Sequence, residues 1–238
     1  IFPMANGNVI ILAATKKTKD QVIQAGRDSL LIDDSALYNE QLLELKPMGT
    51  RGALIVWEWN IWDHLIQQFD NTKDNFGSVA ENPQLLDINY LGEGENNSDA
   101  DWLHINGIDY NSTLDQLLLS IHGLDEIVII DHSTTTAQAA SHKGGNSQKG
   151  GDLLYRWGNP KAYKRGTTDD RKLFKQHHPH WIPSGYPDGG KIIIFNNGNG
   201  RPKNFSTVDI INPNIEDVGK YPLSEGNRYG PQEPDWTY

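Results

Sequence analysis

Three segments of this chain close a strand-rich unit in the same way, with paired aromatics at the end of an extended run: Ala53 to Trp59 (ALIVWEW), Asp152 to Trp157 (DLLYRW) and Glu233 to Tyr238 (EPDWTY). Upstream of each lies an apolar, β-branched run, namely Asn8 to Leu12, Gln116 to Leu119 and Lys191 to Phe195, and a turn string (ANG, STLD, PDGG) precedes each run. Side chains of period two between Asn, Asp and Gly turns are the pattern of antiparallel strands. A recurrence at roughly 80 to 100 residues, loops included, fits repeated sheets of the propeller kind. The expected fold is therefore all-β: about three blades of a β-propeller with short helical insertions, one partial propeller domain over 1–238 with blades near 1–59, 102–159 and 179–238.

Within the first unit, strands are expected near Asn8 to Ala14, Gln41 to Lys46 and Ala53 to Trp59. Lys16 to Asp28 is polar, with Val22, Ile23 and Ala25 on one weak apolar face, which predicts a short surface helix. The second unit has four strand patterns, Leu103 to Tyr110, Gln116 to His122, Glu126 to His132 and Asp152 to Trp157, enough for a whole blade. The Gly, Ser and Lys content of Ser141 to Gly151 predicts a mobile loop, and its glycines do not have the spacing of a phosphate-binding loop. Thr168 to Gln176 suggests a helix before the third unit. Propellers are closed rings, so three blades leave two open sheet edges that call for missing blades or for pairing, a homo-oligomer included. The chain starts at Ile1 and stops inside a closing strand, which reads as a piece of something longer.

A net charge of −10 argues against nucleic acid as partner, because phosphate binding needs a concentrated basic surface. No run of about 18 apolar residues is present, so no membrane-spanning helix is expected. With no cysteine in the chain, disulfides, thiolate nucleophiles and cysteine zinc sites drop out.

Histidine remains. Aligning the second and third units on their apolar runs places His104 opposite His180, and if those segments are the innermost strands, both imidazoles face one channel. Asn106 shares a strand face with His104, and the string QHHPHWIP at 176–183 adds His177 and His178. FNNGNGRP follows, with Asn197 and Arg201 in a tight turn where a guanidinium fork meets an oxyanion. Histidine, arginine and asparagine without a carboxylate pair suit an anionic ester better than a glycoside, whose cleavage needs two acids.

The strings PMANGNVIILA, ALIVWEWNIWDHL, DWLHINGIDYN, IIDHSTTT, GGDLLYRWGNP, QHHPHWIP and FNNGNGRP, spread over most of the chain, resemble the PAPS-independent arylsulfate sulfotransferases. The resemblance implies a six-bladed propeller, periplasmic or secreted, that moves a sulfuryl group from a phenolic sulfate ester to another phenol through a sulfohistidine intermediate. It implies small-molecule partners, an aryl sulfate and a phenol, and no cofactor or metal. By motif position the catalytic candidates are His104, His177, His180 and Arg201, with Asn106, His178 and Asn197 binding substrate. Which of His177, His178 and His180 enters the site stays open, since the family string has one histidine after the glutamine where this chain has two. The resemblance puts the histidine that carries the sulfuryl group on a later blade, beyond Tyr238.

Against these stand plainer readings. His64, His122, His132 and His142 read as structural histidines, and Trp57, Trp59, Trp157 and Trp236 as packing between sheets. Metal binding by QHHPH lacks a carboxylate or thiolate partner. A noncatalytic propeller that binds a ligand or partner is the alternative function.

Overall fold

The computed structural model describes residues 1–32, 36–92, 100–223 and 228–238. Its described residues form three four-stranded antiparallel sheets, each a simple meander in chain order, and one short parallel pair. The first sheet holds β1 (Phe2–Pro3), β2 (Val9–Thr18), β3 (Ala36–Met48) and β4 (Gly52–Asn60). The parallel pair is β5 (Leu65–Ile66) with β6 (Leu86–Asp87). The second sheet holds β7 (Ile105–Asn111), β8 (Gln116–Ile121), β9 (Glu126–Asp131) and β10 (Tyr155–Trp157), and the third β11 (His177–Trp181), β12 (Ile192–Asn196), β13 (Thr207–Ile211) and β14 (Trp236–Thr237). Two helices are short, α1 (Lys19–Gln24) and α2 (Thr136–Ala139). No described helix is long and apolar enough to cross a membrane.

The middle sheet explains why QLLLSI and EIVIID are almost unbroken apolar runs. Every residue of β8 and β9 is buried, because the sheet has cores on both faces. Alternation divides them: Leu117, Leu119, Ile121, Val128 and Ile130 join the core built with Trp57, Trp59 and Leu42 of the first sheet. Leu118, Ile127 and Ile129 join the other, with Ile192, Ile194 and Ile211 of the third. The first strands meet as well, since β7 packs against both β1 and β11.

The closing aromatics bind the sheets to their neighbours. Trp57 Nε1 donates to Thr134 Oγ1 (3.1 Å), Trp59 Nε1 to the Gly151 carbonyl (2.8 Å) and Trp157 Nε1 to the Pro231 carbonyl (2.7 Å). Behind β10, the fully buried Arg156 forks onto Glu126 (3.1 and 2.5 Å) and donates to the carbonyls of Pro83 and Leu85.

Local structure departs from the sequence expectations in three places. The surface helix expected over Lys16 to Asp28 is only α1, because β2 runs on to Thr18, whose capping box with Gln21 starts the helix. No helix covers 168–176: after a 3-10 turn at Thr168–Asp170 the backbone amides find tertiary partners instead. Phe174 N donates to Asn196 Oδ1 and Lys175 N to Asp125 Oδ1, and Lys172 N to the Gly158 carbonyl. The loop at 141–151, expected to be mobile, is pinned. Asn146 N and Ser147 N donate to Ser133 Oγ and Asp131 Oδ2, and Gly150 sits where a Cβ would lie 2.1 Å from the Ser141 carbonyl.

Candidate functional site

The junction of β7, β8 and β11 gathers three histidines. His104 ends the approach to β7 in the left-handed region (φ 48°), and its Nδ1 lies 2.6 Å from Asp101 Oδ2 with half of the side chain exposed. His122 follows β8 directly. Gly123 brings it there: its amide donates to the Leu103 carbonyl at 2.7 Å, and a Cβ on it would stand 2.1 Å from the Trp102 carbonyl. Only glycine permits that approach. The His122 amide donates to the His104 carbonyl, and the two rings come to 5.0 Å between centroids. His177, first residue of β11, completes the row with its ring 5.2 Å from His122 and edge-on to it. Its Nδ1 lies 3.0 Å from the Asn197 side-chain amide and 3.2 Å from the Lys175 carbonyl.

The electrostatics of the row are set by burial and by its cations. His122 is pushed down to about 4 by burial first, then by Lys175, His104 and His177, so it is a neutral imidazole near pH 7. Lys175 is itself buried and left-handed (φ 58°). Behind His104, Glu40 of β3 accepts from the Ile105 amide at 2.9 Å while its other oxygen has no partner. Burial raises the Glu40 carboxyl to about 7; Asp101 adds to the rise, and the Ile105 amide and His104 oppose it.

The other candidates have partners of their own. A bulge in β11 separates His177 from His180, and the ring of His180 packs against that of the left-handed His178 (φ 53°) at 5.1 Å. Of the QHHPH histidines, His177 is the one whose ring stands beside His122 in the row. Asn106 spends its amide on the Gln176 carbonyl (2.9 Å), joining β7 to the start of β11. Arg201 folds over Phe174 and Phe205 and donates to Thr207 Oγ1 (3.1 Å), in a shallow cleft of about 280 Å³ with Arg171 and Lys172. None of its contacts is with the three imidazoles.

The sequence reading singled out neither Lys175 nor Glu40 and took His122 as structural. His122 carried one signal, a His-Gly pair at the end of an apolar strand, and Glu40 another, one of two acids in the run YNEQLLEL. Two further histidines that read as structural are clamped by acids. His132 lies between Asp115 Oδ1 (2.8 Å) and Glu44 Oε2 (3.0 Å), with Tyr110 donating to Asp115 and Asn8 to Glu44. His64 lies between Asp152 and the Ala139 carbonyl.

Chemically, the row offers a neutral ring between two others, a carboxylate that orients His104 through Nδ1 so that Nε2 is the face for proton exchange, and a buried ammonium. That set handles proton transfer and negative charge without demanding a metal. The family model described as Arylsulfotransferase (ASST) matches residues 1–229. No curated protein matches the chain.

Proposed function

We propose, from the premise that this chain belongs to the arylsulfotransferase family, that its histidine row serves sulfuryl transfer from an aryl sulfate to a phenol. Family membership supports aryl sulfotransferase activity in general. The observation that carries the proposal to these residues is the contact of His104, His122 and His177 where β7, β8 and β11 meet.

The three sheets are blades of a six-bladed propeller, near 1–59, 102–159 and 179–238, exported as such enzymes are. In support, the sheets are four-stranded meanders, the middle one is covered on both faces, and the first strands lie side by side as channel-lining strands do.

In the first half-reaction a histidine nitrogen attacks sulfur and the S–O bond to the donor phenol breaks, giving an N-sulfohistidine and a phenolate that takes its proton from a neighbouring imidazolium. In the second, the acceptor phenol gives its proton to that imidazole, its oxygen attacks sulfur, and the N–S bond breaks. The sulfuryl carrier belongs to a later blade, as the resemblance implies. His104, held by Asp101 at Nδ1, exchanges the proton at Nε2. His177 and neutral His122 donate to the sulfuryl oxygens, and Lys175 supplies positive potential, the part expected of Arg201.

The test is transfer from 4-nitrophenyl sulfate to phenol by the full-length protein, followed by nitrophenol release, with His104→Ala and His177→Ala. Each variant should lose at least about 100-fold in kcat/KM, and double-reciprocal plots should be parallel, as a covalent intermediate requires. Wild-type rates in both variants refute the assignment. Absence of transfer across a panel of aryl sulfates moves the choice to a ligand-binding propeller.

A further inference from the structure

A second histidine cluster lies away from this row, where the exit of β4 meets the long connection from β9 to β10. His64 ends the 3-10 turn Ile61–His64, wholly buried, with its ring stacked on Trp59 (5.7 Å, 10° between planes). Its Nε2 is 2.8 Å from the Ala139 carbonyl, which can only accept, so Nε2 carries a hydrogen. Its Nδ1 then faces Asp152 Oδ1 at 2.8 Å, and His142 Nδ1 approaches that same oxygen at 2.7 Å. Two oriented imidazole nitrogens and one carboxylate oxygen thus lie within 4.8 Å of one another.

Two lone pairs at 2.8 Å repel unless a cation stands between them. A proton on Nδ1 can fill that place, and so can a metal ion. The rest of the arrangement favours the metal. A ligating histidine characteristically donates its other N–H to a backbone carbonyl, which fixes tautomer and ring direction, and the Ala139 carbonyl does this for His64. Bonds of about 2.0–2.1 Å at tetrahedral angles separate donors by about 3.3 Å, so each imidazole nitrogen need draw back from Asp152 Oδ1 by only about half an ångström. His142 can supply its own share of that movement, its side chain being 59% exposed. It also borders a cleft of about 410 Å³ with Asp63, Asp74 and Asn75, which leaves a fourth position open to water or a ligand.

We propose that His64, His142 and Asp152 bind one divalent first-row transition ion. The N₂O donor set suits zinc, copper or nickel over calcium or magnesium. The ion ties the end of the first sheet to the connection that leads into β10. It is independent of the sulfuryl-transfer site.

The test is calorimetric titration of zinc chloride into tag-free, chelator-treated protein, with thermal denaturation alongside. One site per chain and a raised Tm are expected. His142→Ala, whose exposed ring is dispensable for folding as far-UV circular dichroism will report, should weaken binding at least about 10-fold. The double variant His178→Ala/His180→Ala should bind as wild type, which separates this site from the QHHPH string. X-ray absorption should show N and O neighbours at about 2.0–2.1 Å. No binding at about 1 mM zinc, unchanged affinity in His142→Ala, or loss in the His178/His180 variant overturns the proposal, and leaves His64 and Asp152 as a proton-bridged pair.

Discussion

Neutrality of His122 is the most exacting consequence of the histidine row. An ordinary histidine titrates near 6.5, whereas here burial, followed by the electrostatic influence of Lys175, His104 and His177, brings the ring to about 4. At pH 7 roughly one His122 ring in a thousand is then protonated, against about one in four for a free imidazole. The assay is two-dimensional NMR of the imidazole nitrogens and carbons between about pH 3 and 8, with His122→Asn identifying its signals. The expected midpoint is near 4. Lys175→Met separates the causes: removing the ammonium raises the midpoint, but since burial is the larger cause it must stay below 6.5. A wild-type midpoint at or above about 6 refutes the reasoning, and a return to about 6.5 in Lys175→Met refutes the primacy of burial. Linkage has a matching sign. The folded state holds this proton more weakly than the unfolded chain, so stability falls as pH drops from 6.5 towards 4.

Other consequences can be checked by denaturation. Arg156→Met leaves the Glu126 carboxylate buried without its partner, a loss of about 3–5 kcal/mol and a fall in Tm on the order of 10 °C; Arg156→Met/Glu126→Leu should recover much of it, and no recovery contradicts the ion-pair account. At the His132 clamp, burial opposes the proton, but the Asp115 and Glu44 carboxylates prevail and raise the ring above 6.5, while the His132 hydrogen bond lowers Asp115 below 3.8. The clamp therefore contributes fully between pH 3.8 and 6.5, and its contribution is lost as pH rises through the folded His132 value or falls through that of Asp115. His132→Asn should flatten the stability profile above pH 6.5; a slope equal to wild type there removes His132 as its source.

Alternation and apolar content write strands directly into residue order: β2, β8, β9 and β12 overlap the runs expected from it, and Trp57, Trp59 and Trp157 are buried as the packing groups expected, whereas Trp236, expected to pack likewise, is half exposed. A two-residue strand such as β1 carries no such signal, because two residues have no period, and β14 is marked only by the aromatics of EPDWTY. Nor does a sequence say which core a buried leucine enters. In β8, Leu118 and its neighbours Leu117 and Leu119 read alike, and only the sheets on either side send them into different cores.

The candidate site shows the same division. Its residue type is evident from the chain alone, since a sequence without cysteine that concentrates histidine near Asn and Gly narrows the chemistry. Which histidines meet is decided by tertiary structure. A bulge in β11 separates His177 from His180, whose ring packs on the left-handed His178, and a glycine too close to a carbonyl for any side chain draws His122 into the row. Composition predicts a mobile loop at 141–151 and polarity a helix at 168–176, yet in both the backbone amides bond to acceptors distant in sequence, Asp131, Asn196 and Asp125 among them. Local periodicity is set by the chain's own covalent geometry and so can be read from residue order. Convergence of imidazoles and capture of backbone donors depend on groups brought together by packing, and no local pattern records them.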